Sequence, residues 1–317
     1  MPDRPDVLVL CPLPPALLAL LEPHYTLHRL DLAADGDRAA LIARAGACCR
    51  AAVTSGKTGL DGVPLAALPA LELLASYSAG YEGIDLPALT GAGVALTTSS
   101  NALADEVADT ALMLMLATRK DLRRADLYVR GGDWARKGMF PLQDSLRGAR
   151  LGLVGAGHIG QAIARRAAVM GMDIAYTGRR ARPDVALPFQ PDLIALAAWA
   201  DVLVLAIAGG PDTRHLVDAR VLDALGPQGT LVNIARGSVV DEAALIAALS
   251  EGRIASAGLD VFENEPAPDP RLTGLENVTL YPHHASGTRQ TRAAMVQSVA
   301  DSLAAFFAGR ALADRVT

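Results

Sequence analysis

Three polar side chains far apart in the chain, Arg236, Glu265 and His283, have the types needed for chemistry on a ketone. Each follows an apolar run: Val232–Ile234 precedes Arg236, Gly258–Phe262 precedes Glu265, and Val278–Tyr281 precedes Pro282 and His283. A hydride reaching a carbonyl carbon leaves a developing alkoxide, which needs a proton donor within hydrogen-bond reach and fixed positive charge nearby. An imidazole and a guanidinium meet those needs, and a carboxylate beside the imidazole favours its protonated form and orients it. Singly, each has a plainer reading: a surface ion pair for Arg236, a turn before Pro266 for Glu265, a loop histidine for His283. Jointly, downstream of a nucleotide-binding turn, they read as one reaction centre.

That turn is Gly155-Ala-Gly157-His158-Ile159-Gly160, which follows the apolar run Leu151–Val154 and opens a helical stretch from Gln161 to Met170. Its glycines suit, in order, a tight turn, close approach of backbone to a pyrophosphate, and packing of helix on strand. The amides of His158 and Ile159 would then face the diphosphate at the positive end of the helix. A carboxylate for the ribose hydroxyls is expected about twenty residues on. The second strand instead ends Thr177-Gly178-Arg179-Arg180. Guanidinium forks match phosphate oxygens, so NADP(H) is the expected carrier, with NAD(H) as the second; a solvated basic loop is the plainer alternative.

The elements that must position these groups alternate. Asp6–Leu10, Ala51–Thr54, Leu71–Ser76 and Val94–Thr97 read as strands among amphipathic stretches. A stretch from Ala102 to about Arg130, without Pro or Gly, predicts one long helix capped by Asn101, with Asp105 and Glu106 at its positive end. Then come apolar runs at Leu151–Val154, Ile174–Thr177, Val202–Ile207, Leu231–Ile234, Ala257–Val261 and Val278–Tyr281, and a last helix at about Arg289–Gly309. Continuous apolar runs suit strands covered on both faces, which predicts parallel α/β layers. With 317 residues, two domains are expected: residues 1–99 with 287–317 for the substrate, and residues 100–286 for the dinucleotide.

A net charge of -5 gives no broad basic surface for nucleic acid or an anionic membrane. The N-terminus lacks a leader pattern and no stretch is long and apolar enough to span a bilayer, so a soluble cytoplasmic protein is expected. Cys11, Cys48 and Cys49 have neither zinc-site nor disulfide spacing and read as reduced, ordinary thiols; no metal is expected.

Taken with Ser76-Tyr-Ser-Ala-Gly-Tyr81-Glu-Gly-Ile-Asp85, Ala104-Asp-Glu-Val-Ala-Asp109 and Tyr176-Thr-Gly-Arg-Arg180, these segments resemble the D-isomer-specific 2-hydroxyacid dehydrogenases along essentially the whole chain, particularly the glyoxylate/hydroxypyruvate reductases. The resemblance implies two doubly wound parallel-sheet domains, a Rossmann cofactor domain inserted in a flavodoxin-like substrate domain. It implies that Arg236 holds the substrate carboxylate and carbonyl, that His283 is the acid/base, and that Glu265 pairs with it. It further implies that amides around Ala79 and Gly80 bind the carboxylate, that Asp260 meets the nicotinamide carboxamide, and that Ala206, Ile207 and Ala235 line the cofactor. The substrate would be a small 2-oxoacid or 2-hydroxyacid, and the assembly a homodimer.

Several residues depart from the family pattern. His284 stands where an apolar residue is usual, and Ala206-Ile-Ala-Gly-Gly-Pro211 replaces the usual proline-bearing segment. Tyr81 and Trp134 read as packing residues. A dinucleotide-binding sensor without turnover is the alternative function, although the chain lacks the tails expected for recruiting partners.

Overall fold

The computed structural model describes residues 4–316. They gather into two compact units, one from the residues up to Leu103 and from Gly287 on, the other from Ala104–Ser286.

In the first unit, β1 (Asp6–Val9), β2 (Thr26–Arg29), β3 (Ala51–Thr54), β4 (Leu73–Ser76) and β5 (Ala95–Thr97) form a parallel sheet ordered β2-β1-β3-β4-β5. This is the flavodoxin-like winding. Side chains alternate across a strand, so one strand serves two cores. Val7 and Val9 pack with Leu17, Leu21 and the closing-helix residues Val296, Val299 and Leu303. Leu8 and Leu10 face Ala45, Leu74 and Leu96 on the other side.

In the second unit, β6 (Arg150–Val154), β7 (Asp173–Thr177), β8 (Val202–Leu205), β9 (Thr230–Asn233), β10 (Ser256–Leu259) and β11 (Val278–Leu280) are again all parallel, ordered β11-β10-β9-β8-β6-β7. A parallel bridge from Tyr176 to Phe189 continues the sheet beyond β7. The chain therefore runs outward from β6, then crosses back to β8, and β6 and β8 flank the switch point where doubly wound sheets bind ligands. Strands β8 and β9 are buried along their whole length, and β8, Val-Leu-Val-Leu, is continuously apolar, as a strand covered on both faces requires.

The structure corrects four expectations. The long helix is two, Ser100–Arg119 and Leu122–Arg130. Between them Asp121 adopts φ 49°, a left-handed conformation that Asp tolerates better than most residues, and its carboxylate pairs with Arg124 at 2.6 Å. Asn101 lies inside the first turn and gives its side-chain amide to Asp314, so it is not the cap. Strand β2 was not expected: its sequence Thr-Leu-His-Arg carries no apolar run because it is an edge strand with no fully buried residue. Tyr81 packs at the edge of a core, but Trp134 is 64% exposed. No described helix is long and apolar enough to cross a membrane.

Candidate active site

Strands β9, β10 and β11 are neighbours, with Asn233 beside Leu259 and Leu259 beside Leu280, so all three end at one edge of the sheet. The segments bearing Arg236, Glu265 and His283 leave from these adjacent ends. They are bound to one another by short backbone contacts. Asp260 N donates to Asn233 O at 2.9 Å and His283 N to Asp260 O at 2.7 Å. Gly237 abuts the next segment so closely that an added Cβ would lie 1.9 Å from the Phe262 carbonyl carbon, which confines that position to glycine.

Within this cluster His283 Nδ1 lies 2.6 Å from Glu265 Oε2, and Glu265 Oε1 accepts from Phe262 N at 3.0 Å. The carboxylate thus bridges the imidazole and the chain leaving β10. His283 adopts φ 49°, held there by bonds from its own N–H to Asp260 O and Tyr281 O. Its side chain remains 46% exposed, open to a ligand. Arg236 directs Nη1 to Ala235 O at 2.7 Å, while Asn233 Nδ2 donates to Arg236 O and shapes its turn.

Asp260 is almost fully buried, and its carboxylate accepts from His284 N at 2.8 Å and Ala285 N at 3.2 Å. Burial pushes the carboxyl above the ordinary carboxylate range, against the opposing pull of the His284 amide and of His283. Its part in shaping the turn that carries His283 was not foreseen from the sequence. Glu242 was missed as well: its Oε2 accepts from Glu263 N at 3.0 Å and steadies the segment before Glu265. Asp260 stands in the apolar run quoted before Glu265 and Glu242 shortly after Arg236, but nothing in their spacing separates an acid that holds backbone from one that meets a ligand. His284 stacks edge-on to Tyr281 with ring centroids 6.0 Å apart.

The glycine-rich turn follows β6 at the switch point. Gly155 has φ 97°, and an added Cβ would sit 2.6 Å from Ala206 O; at Gly160 it would sit 2.1 Å from Gly155 O, so helix and turn touch backbone to backbone. A Cβ on Gly157 would meet nothing within 4 Å. No side chain caps the helix His158–Val169. Open space before uncapped amides is what an approaching diphosphate needs, so the residues present fit a dinucleotide. Ala206 and Ile207, after β8, line the same turn. Thr177 is buried and its carbonyl accepts from Gly155 N, whereas Arg179 and Arg180 are exposed. The helix is anchored through Arg166, whose Nε and Nη1 meet Asp109 at 2.5 Å and Asp105 at 2.9 Å. That gives the acidic motif of the helix Ser100–Arg119 a positioning role.

Ala79 and Gly80 belong to the other unit, in a loop after β4. Ser78 Oγ accepts from Gly56 N and donates to Gly80 O, each at 2.8 Å, and Gly83 N donates to Gly56 O at 2.7 Å. A Cβ on Gly56 would strike Gly80 O at 1.7 Å, so the loop is tightly packed.

Residues 112–285, more than half of the chain, match the NAD binding domain of the D-isomer specific 2-hydroxyacid dehydrogenases. The chain belongs to this family. It is 42% identical over 312 residues to a 2-ketogluconate reductase of Gluconobacter oxydans, covering 98% of each chain. It is 41% identical over 306 residues to glyoxylate/hydroxypyruvate reductase A of Arabidopsis thaliana, covering 96% of this chain and 97% of that one. Among solved structures it resembles a 2-hydroxyacid dehydrogenase from Ketogulonicigenium vulgare, with TM-score 0.87, 41% identity and 99% coverage of both chains. An NADPH-dependent glyoxylate/hydroxypyruvate reductase from Sinorhizobium meliloti, in complex with NADP and malonate, aligns with TM-score 0.84 and 38% identity, covering 99% of this chain and 97% of that one. The chain is accordingly an oxidoreductase of the nicotinamide-dependent 2-hydroxyacid class, acting on 2-oxoacids through a Rossmann NAD(P)-binding domain.

Proposed function

We propose that this member of the family reduces a small 2-oxoacid to the D-2-hydroxyacid with NADPH, using His283 as the proton donor. The observation that carries the reading is the 2.6 Å contact between His283 Nδ1 and Glu265 Oε2 at the edge where three strands end. With Nδ1–H directed to the carboxylate, Nε2 is the ring atom free to give a proton to the carbonyl oxygen during reduction and to take it back in oxidation. Arg236 provides fixed positive charge for the carboxylate and the developing alkoxide. The glycine turn at Gly155, Gly157 and Gly160, the His158 and Ile159 amides, Thr177, Ala206, Ile207, Ala235 and Asp260 hold the cofactor. Bound nicotinamide supplies the hydride.

Arg179 and Arg180, exposed after β7 and without a carboxylate alongside in sequence, support preference for the 2′-phosphate carrier. The relatives named above make glyoxylate, hydroxypyruvate and sugar-derived oxoacids such as 2-ketogluconate the substrates to try first. The test follows absorbance of NADPH and NADH on addition of each compound. Turnover with at least one, faster with NADPH, is expected, and silence across the panel overturns the assignment. In an Arg179→Ala/Arg180→Ala double variant, kcat/KM for NADPH should fall by about 10- to 100-fold, on the scale of one charge-assisted hydrogen bond, with NADH little changed. Equal losses for both carriers would defeat the argument from the arginines.

A homodimer belongs to the same proposal. The helix Leu122–Arg130 has apolar side chains at Leu122, Leu127 and Val129 yet no buried residue, and Trp134, Met139 and Leu142 beyond it are each more than 60% exposed. A run of exposed apolar side chains of this kind calls for a cover.

A further inference from the structure

Outside the reaction centre, one side-chain cluster combines groups that bind metal ions. The helix Asp35–Cys48 ends in adjacent thiols, and β2 brings His28 to them, although some twenty residues of chain lie between. One ring nitrogen of His28 and the sulfurs of Cys48 and Cys49 all lie within 4.8 Å of one another. We propose that these three side chains bind a thiophilic divalent cation of the zinc type, leaving a fourth position for solvent.

Zinc holds sulfur at about 2.3 Å and imidazole nitrogen at about 2.0 Å, so neighbouring donors in a tetrahedral site stand roughly 3.5 Å apart. The Cys48 side chain is exposed and its thiol reaches helix carbonyls at 3.4 and 3.8 Å, so no strong bond holds its rotamer against a turn toward the ion. The Asp6 carboxylate, 2.7 Å from His28 Nε2, fixes the ring and adds negative charge. The carbonyl end of the helix favours a cation too. Neighbouring Arg50 does not compete, because its guanidinium is spent on Glu72 at 2.6 Å. Binding releases the two thiol protons to solvent and involves no redox change. The ion would tie the edge strand β2 to the helix and stabilise the first unit.

The test titrates reduced full-length protein with cobalt(II), which reports thiolate ligands through intense near-ultraviolet charge-transfer absorption. One equivalent is expected to produce this absorption, zinc to abolish it by displacement, and zinc to raise the thermal midpoint of the unliganded protein. Cys48→Ser alters an exposed residue and should eliminate both the absorption and the zinc-dependent shift. Asp6→Asn should weaken affinity by about tenfold. No charge-transfer absorption in the reduced wild type, or equal absorption in Cys48→Ser, overturns the proposal. A spectrum showing imidazole ligation alone, as His283 and His284 could provide, counts against it equally.

Discussion

At the scale of single residues, the contact between His283 and Glu265 sets expectations that differ for its two members. Removing the imidazole in His283→Ala takes away the proton donor, and kcat for oxoacid reduction should fall by about 100- to 10,000-fold with dinucleotide binding preserved. Glu265→Gln leaves an acceptor for Nδ1–H but removes the negative charge beside the ring. It should cost roughly tenfold, and more in reduction than in oxidation, because only reduction starts from the protonated ring. Steady-state rates in both directions check this; wild-type kcat in His283→Ala would remove the histidine from the chemistry. The pairing itself was legible only through the order and content of several motifs. Residue types alone suggest that a ketone reductase wants an imidazole, a guanidinium and a carboxylate, but not which of the available ones. The work of Asp260 and Glu242 on backbone amides was invisible, since a buried acid that holds a turn looks in sequence like any other acid. The approach of His28 to Cys48 and Cys49 was hidden for the opposite reason: it depends on strand β2, whose polar edge sequence gave no sign of a strand.

At the scale of elements, the glycine-rich turn separates fold from binding. Gly160→Ala places a Cβ 2.1 Å from Gly155 O, and the helix must move; a loss of about 1–3 kcal/mol in stability is expected, with weakened dinucleotide affinity. Gly157→Ala finds open space, so the thermal midpoint should hold while affinity for the dinucleotide falls. Calorimetric titration beside thermal melts distinguishes the two, and unaltered affinity in Gly157→Ala would argue against diphosphate approach at that point. At the opposite edge of the same sheet, Arg150 at the start of β6 grips Asp201 before β8 through contacts of 2.8, 2.9 and 3.2 Å. The Arg150 hydrogen bonds hold the Asp201 carboxyl below its ordinary range. A depressed folded-state value means the contribution is complete above the unfolded value of about 4 and vanishes as pH falls through the folded one. The difference in thermal midpoint between wild type and Asp201→Asn should therefore be largest near neutrality and shrink in acid. A difference that grew in acid would reverse the assigned sign. The buried strands were readable because parallel strands covered on both faces must be continuously apolar. The break between Arg119 and Leu122 was not, because Lys120 and Asp121 are compatible with helix and only the left-handed backbone at Asp121 ends it.

At the scale of the whole molecule, the unpartnered apolar segment around Leu127 and Trp134 predicts self-association. A Leu127→Asp/Trp134→Asp variant should sediment as single chains where the wild type sediments as pairs, with the melting of the isolated chain little changed because both side chains are exposed. Wild-type protein that stays monomeric at high concentration would remove the dimer from the proposal. The fold class was the most legible property at this scale, because alternating strand and helix patterns admit few architectures.

The first unit is assembled from two segments of the polypeptide, with the second unit lying wholly between them in sequence. One side of its sheet is sealed by Val296, Val299 and Leu303 of the helix Arg289–Phe307. During synthesis, the ribosome therefore delivers five strands whose covering layer does not yet exist, while the middle of the chain can collapse as soon as it emerges. Val7 and Val9 are made long before the helix that completes their core, and nascent chains stalled before residue 289 should expose them to chaperones and proteases until that helix arrives.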